Sequence, residues 1–213
     1  MRVLLVRAVW VLLICAVQNS TAVAQDHDPL VRLDPTVRHA VAVMLDSARQ
    51  AGLPTAPIES KVFEGLSKKV HSRRILAAAR NVYESLRLAR AALGKDASTD
   101  ELTAGAGALR VGVTTAELAN LARGQREKLL TVPLVVLADL VTRGVPRDTA
   151  SQTIFQLWQR GAGDDDFYGL WRGVERDIVS GTAPGVALLA RAREIPSRVP
   201  PQGTPPASGT RPE

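Results

Sequence analysis

Few residues in this chain have the type and spacing to do chemistry. His27, His39 and His71 stand far apart, and no second histidine lies three or four positions from His39. No metal-ligand spacing results, so no metal site is expected. Cys15 is the only cysteine. Glu84 precedes Ser85 on a helical stretch. A glutamic acid held in an apolar pocket gains the raised pKa needed to protonate a glycosidic oxygen. The alternative for Glu84 is a solvated ion pair with Arg80, four positions earlier. Asp164, Asp165 and Asp166 lack the spaced oxygens and distal glutamate of a calcium loop. They read as a helix cap and a first turn whose dipole favours negative charge. The chain carries no G-x-S-x-G elbow, no S-x-x-K with its partner motifs and no phosphate-binding P-loop. No cofactor is expected.

Two clusters could bind rather than react. Between Lys61 and Lys95 nine basic residues face only Glu64 and Glu84, a local charge of +7. Arg73, Arg80 and Arg87 recur every seven residues, with Arg90 nearby, and line one helix face. Such a face serves a polyanion of the cell envelope, such as lipid phosphate, lipopolysaccharide or teichoic acid; otherwise it is a solvated surface. The second cluster is aromatic: Phe155, Trp158, Phe167, Tyr168 and Trp171. It reads as core where two helices cross. A ligand groove anchored on Trp158, Tyr168 and Trp171 is the alternative. Gly169 and Gly173 would let a neighbouring helix approach.

These clusters need a scaffold, and the sequence predicts a helical one. Met1 to Arg7 carries two arginines, Ala8 to Val17 is apolar, and Ala22 and Ala24 form the A-x-A pattern of signal-peptide cleavage. Cleavage after Ala24 would remove Cys15, leaving no thiol for disulfides, metal or catalysis. The formal charge of the full chain is +6, and loss of Arg2 and Arg7 leaves +4. That is too little for a nucleic-acid binder. No later stretch reaches 18 apolar residues, so no transmembrane segment is expected in the mature chain.

Over 25–195 the apolar residues recur at three and four, not at two, which predicts an all-α domain of about eight or nine short helices. Asp34-Pro35, Pro57, Ser72, Pro146, Asp164 and Pro184 read as helix starts. Ser98 with Glu101, and Thr114 with Glu117, are capping boxes. Gly52, Gly94, Gly112, Gly124 and Gly144 read as stops. A helix is expected from about Arg126 to Arg143. Corners around Val70, Val113 and Val145 share one plan, which raises degenerate internal repeats beside ordinary helix-turn-helix chemistry. From 196 onward six of 18 residues are proline, and a disordered tail is expected.

The segment Gly52-Leu-Pro-x-x-Pro57-Ile-x-x-Lys61-Val-x-Glu64-Gly65-Leu-x-Lys68-Lys69-Val70 resembles a GLPxxPLxxKxxEGxxKGV-like motif of uncharacterised bacterial secreted helical proteins. Lys69 stands where that motif has its second glycine. The resemblance implies a secreted all-helical fold and no particular activity. Glu84-Ser85 also resembles the catalytic glutamate pair of all-α lytic transglycosylases, but the Gly-Leu-Met-Gln element of that family is absent. The expected function is a secreted or periplasmic, non-catalytic binding or scaffold protein of the bacterial envelope. Its expected partner is an envelope polyanion or a protein. The alternative is a peptidoglycan-active enzyme using Glu84.

Overall fold

A computed structural model describes residues 29–124 and 129–198. The expected signal peptide, 1–24, and residues 199–213 of the expected tail lie outside the described residues. After a short 3-10 turn at Pro29–Arg32 come nine α-helices among the described residues. They are α1 Pro35–Gln50, α2 Ala56–Ser67, α3 Ser72–Leu93, α4 Thr99–Arg110, α5 Thr115–Gly124, α6 Thr131–Thr142, α7 Arg147–Gln159, α8 Asp164–Val179 and α9 Pro184–Arg193. No strand occurs among these residues. None of their helices is long and apolar enough to cross a membrane.

The order of packing follows the apolar stripes. Helix α3 buries Ile75, Ala79, Val82, Leu86 and Ala89 and packs against α1, α2, α4 and α5. Helix α6 is the second hub, against α4, α7 and α8. Its buried face holds Leu134, Leu137 and Leu140. Helix α9 closes the far end over α7 and α8. One continuous apolar cluster runs from Leu33 to Ala192.

Close approach is bought with small residues at the hub. A Cβ on Gly65 would stand 2.6 Å from Ile75 Cγ1, so any larger residue there forces Ile75 or the helix pair to shift. A Cβ on Gly105 would meet Leu93 and Ala89 of α3 at 3.1 and 3.3 Å. The expected glycine pair of α8 is half used. Gly173 faces the Arg191 stem, whereas Gly169 is open.

Six helix ends share one turn. The N–H groups of Leu53, Val70, Val113, Val145, Ala162 and Thr182 each donate to the carbonyl five residues back, at 2.9–3.1 Å. This is the Schellman closure, in which the residue before the donor takes a left-handed conformation. That residue is glycine at five ends, with φ from 64° to 101°, and Lys69 at the sixth, with φ 54°. Three of these ends lie outside the expected repeat, so turn chemistry accounts for the likeness of its corners without duplication. Val113 and Val145 are buried anchors there, whereas Val70 is 37% exposed.

Both capping boxes form. Ser98 Oγ accepts from the Glu101 N–H, and Glu101 accepts from the Ser98 N–H at 2.9 Å. Thr114 and Glu117 repeat the arrangement. Glu101 also accepts from the Leu130 N–H at 3.0 Å, which ties the start of α6 to α4. Burial pushes its carboxyl up, but the N–H groups of Leu130 and Ser98 outweigh that and hold it low. Two expected caps are corrected. The imidazole of His71, not the Ser72 hydroxyl, accepts from the Arg73 N–H at 3.4 Å to cap α3; Ser72 instead accepts from the Asp34 N–H. Gly163, not Asp164, is the N-cap of α8, and the Asp166 carboxylate accepts from its N–H at 2.8 Å. Helix α6 begins at Thr131, later than expected. Leu129 and Leu130 are outside the helix, and 125–128 lie outside the described residues.

Arg198 belongs to the fold although it falls beyond the expected boundary at 196. Its N–H donates to the Arg160 carbonyl, and its guanidinium meets Asp166, each at 2.9 Å. The end of α7 and the first turn of α8 thereby hold the chain leaving α9.

Candidate functional site

Helix α3 lays its apolar stripe inward, so the opposite face carries what remains. Arg73, Arg80 and Arg87 are exposed along it. Seven residues of α-helix advance about 10.5 Å, so the three stand in a row. Glu84 is exposed in the same row and accepts from Arg87 at 2.9 Å. Its partner is thus Arg87, not Arg80 as expected. Both side chains are more than half exposed. This carboxyl has none of the apolar enclosure that glycosidic acid catalysis demands.

The rest of the basic segment divides by what each cation already holds. Lys61 and Lys68 both bond Glu64, the second at 2.6 Å. Their hydrogen bonds, with their charges behind them, draw the Glu64 carboxyl down to about 2. Arg90 is a clamp, not part of the face. It reaches the carbonyls of Gly52 at 2.8 Å, Lys95 at 2.7 Å and Ala97 at 3.3 Å. Lys69, Arg73, Arg74, Arg80 and, at the far end of α3, Lys95 remain exposed and, among the described residues, have no ion-pair partner; all but Lys95 lie between 69 and 80. The first four gather where α2 turns into α3 and along its first two turns. The free cations therefore centre on the corner at 69–80 and not on Arg87.

That corner also presents the N-terminus of a 22-residue helix. Its aligned peptide dipoles favour an anion, although the Arg73 and Arg74 N–H groups are already taken by the imidazole and carbonyl of His71. No acidic residue lies in the first turn of α3 to compete. Chemically, the corner can hold a phosphate or carboxylate by charge-assisted hydrogen bonds.

The aromatic cluster separates into three environments. Trp158 is 1% exposed and Phe167 fully buried, with ring centroids 6.4 Å apart. Both are core. Phe155 is half-buried at the edge of that core. Tyr168 is 46% exposed and points away from it. Trp171 is half-buried between α6 and α8, and its indole N–H donates to Asp139. The Arg143 guanidinium lies 5.4 Å over the same ring and bonds Glu175 at 2.7 Å. The hydrogen bond to Asp139, then the charges of Asp139 and Glu175, hold Arg143 more firmly protonated. Trp158, Tyr168 and Trp171 thus line no common groove. The sequence offered no signal for Asp139 and Arg143, because Trp171 lies 32 positions from Asp139.

Asp164 to Asp166 occupy the first turn of α8, and Asp166 is spent on Gly163 and Arg198. His39 is exposed on α1, and His27 lies outside the described residues. No family model, no curated protein and no solved structure matches this chain.

Proposed function

We propose that the protein is a non-catalytic helical binding module of the bacterial envelope, exported by its first 24 residues, that holds a phosphate-bearing polyanion at the α2–α3 corner. One observation carries this reading: Lys69, Arg73, Arg74 and Arg80 are exposed within twelve residues and none is committed to a carboxylate. Four unpaired like charges this close repel each other, and an anionic ligand relieves that repulsion. The nearby Lys61–Glu64–Lys68 and Glu84–Arg87 groups show the contrast, since their carboxylates already neutralise much of the charge. The helical core supplies rigidity.

Two measurements test it. Expressed in a Gram-negative host, the protein recovered from the envelope fraction should begin at Gln25; an exported form still starting at Met1 contradicts the export step. Purified mature protein should pellet with isolated envelopes at low salt and be released by soluble long-chain polyphosphate. Failure to pellet, or release by a neutral polymer equally well, contradicts the binding step.

A further inference from the structure

A separate cavity lies between α5, α6 and α7, on none of the residues of the basic corner. Glu117 and Asn120 of α5 and Ser151 and Gln152 of α7 bring polar groups to it, over Leu137 and Phe155. Its volume is about 110 Å³. Sites for whole drug-sized ligands start at roughly 300 Å³, so this one takes a single functional group.

Ser151 is 6% exposed, and its hydroxyl oxygen has no hydrogen-bond partner among the described residues. Buried hydroxyls ordinarily have one. Glu117 is near enough for that hydroxyl to favour its charge, though not at bonding geometry. Burial pushes the Glu117 carboxyl up, and bonds from Thr114 with the Ser151 hydroxyl and the Arg147 charge bring it below its usual range. The N–H and O–H of Thr114 both donate to Oε2, each at 2.7 Å. A carboxylate has about four acceptor positions, so capacity remains. Arg147 does not use it: its donors go to Asp148 and to the Gly112 carbonyl.

Among the lining residues Glu117 brings the one charge, partly offset by Arg147 outside the lining, with the Ser151 and Gln152 oxygens as acceptors and an apolar wall. No cation lines it to hold an anion, and one carboxylate among neutral groups is too few hard ligands for calcium. We propose that this cavity binds a primary ammonium group on a short alkyl stem. Glu117 balances its charge, Ser151 Oγ and the Gln152 side-chain carbonyl accept its N–H groups, and Phe155 and Leu137 cover the stem.

The test is a titration of the full-length, ¹⁵N-labelled protein with n-butylammonium chloride at constant ionic strength, using n-butanol and tetramethylammonium as controls. Saturable shifts at Asn120, Ser151 and Gln152 are expected. The dissociation constant should be millimolar, as so few ligand atoms allow. The controls should not saturate. Ser151→Ala and Gln152→Ala should each weaken binding about tenfold or more, the worth of one hydrogen bond to a charged group. Glu117→Gln should abolish it; because that change also touches the α5 cap, Gln152→Ala on the exposed side of α7 is the variant that leaves the fold intact. Non-saturating shifts, equal saturation by n-butanol, or full binding by both α7 variants would overturn the proposal.

Discussion

Arg90 of α3 donates to the carbonyl oxygen of Gly52, 2.8 Å away and 38 positions earlier in the chain. The same guanidinium holds the Lys95 and Ala97 carbonyls beyond the end of its own helix. One side chain thus fastens the α1–α2 turn to the α3–α4 turn. Arg90→Ala should lower unfolding free energy by about 1–2 kcal/mol, since charge-assisted bonds are lost at a partly exposed site. Arg90→Lys should recover little, because an ammonium lacks the planar fork that serves separated acceptors. Urea denaturation of both variants measures this; wild-type stability of Arg90→Ala would contradict the clamp.

Lys69 is the single non-glycine residue with positive φ among the described residues. A side chain in the left-handed region costs about 1–2 kcal/mol, partly offset by the greater unfolded freedom of glycine. Lys69→Gly should stabilise the protein by about 0.5–1 kcal/mol, read as a raised melting temperature. A lowered one would contradict the strain at this turn.

The two described tryptophans should respond differently. Trp158→Ala, deep in the core, should cost about 3–5 kcal/mol. Trp171→Phe keeps a ring beneath Arg143 and removes only the N–H donated to Asp139, so about 1 kcal/mol is expected. Equal losses in chemical denaturation would contradict the separation of core from edge.

Glu64 predicts an acid response. Its folded pKa is lowered from 4.5 to about 2 by the bonds from Lys61 and Lys68. Its contribution to stability is therefore complete above about 4.5 and disappears as pH falls toward 2. Carboxyl NMR titration should place its midpoint near 2, and Lys68→Ala should move that midpoint upward. A midpoint at the ordinary glutamate value would contradict the triad.

Local signals carried most of the fold. Pro35 and Pro184, the two capping boxes and the glycine stops are contacts within a few residues, and the chain states them directly. The errors arose where two neighbours compete for one role. Ser72 and His71 both suit a cap, and Ser72 is drawn off by the N–H of Asp34, the N-cap of α1. Glu84 has an arginine on either side, at i−4 and i+3, and pairs with Arg87. The Arg90 clamp and the joining of Asp139 to Trp171 depend on helix packing, to which spacing gives no access. The basic segment was legible as a run. Which of its cations stay unpaired required the placement of Glu64, Glu84 and Gly52.

Binding to polyphosphate as salt is raised tests the basic corner most directly. The mature protein should bind at low salt, with affinity falling linearly on a log–log plot as counterions are released. Replacing Arg73, Arg74 and Arg80 by glutamine should flatten that slope and remove most of the affinity. Arg87→Gln should change both far less, because its charge is already met by Glu84. Binding that survives the triple replacement with its salt slope unchanged, or that falls as far with Arg87→Gln, would contradict a polyanion site at the α2–α3 corner.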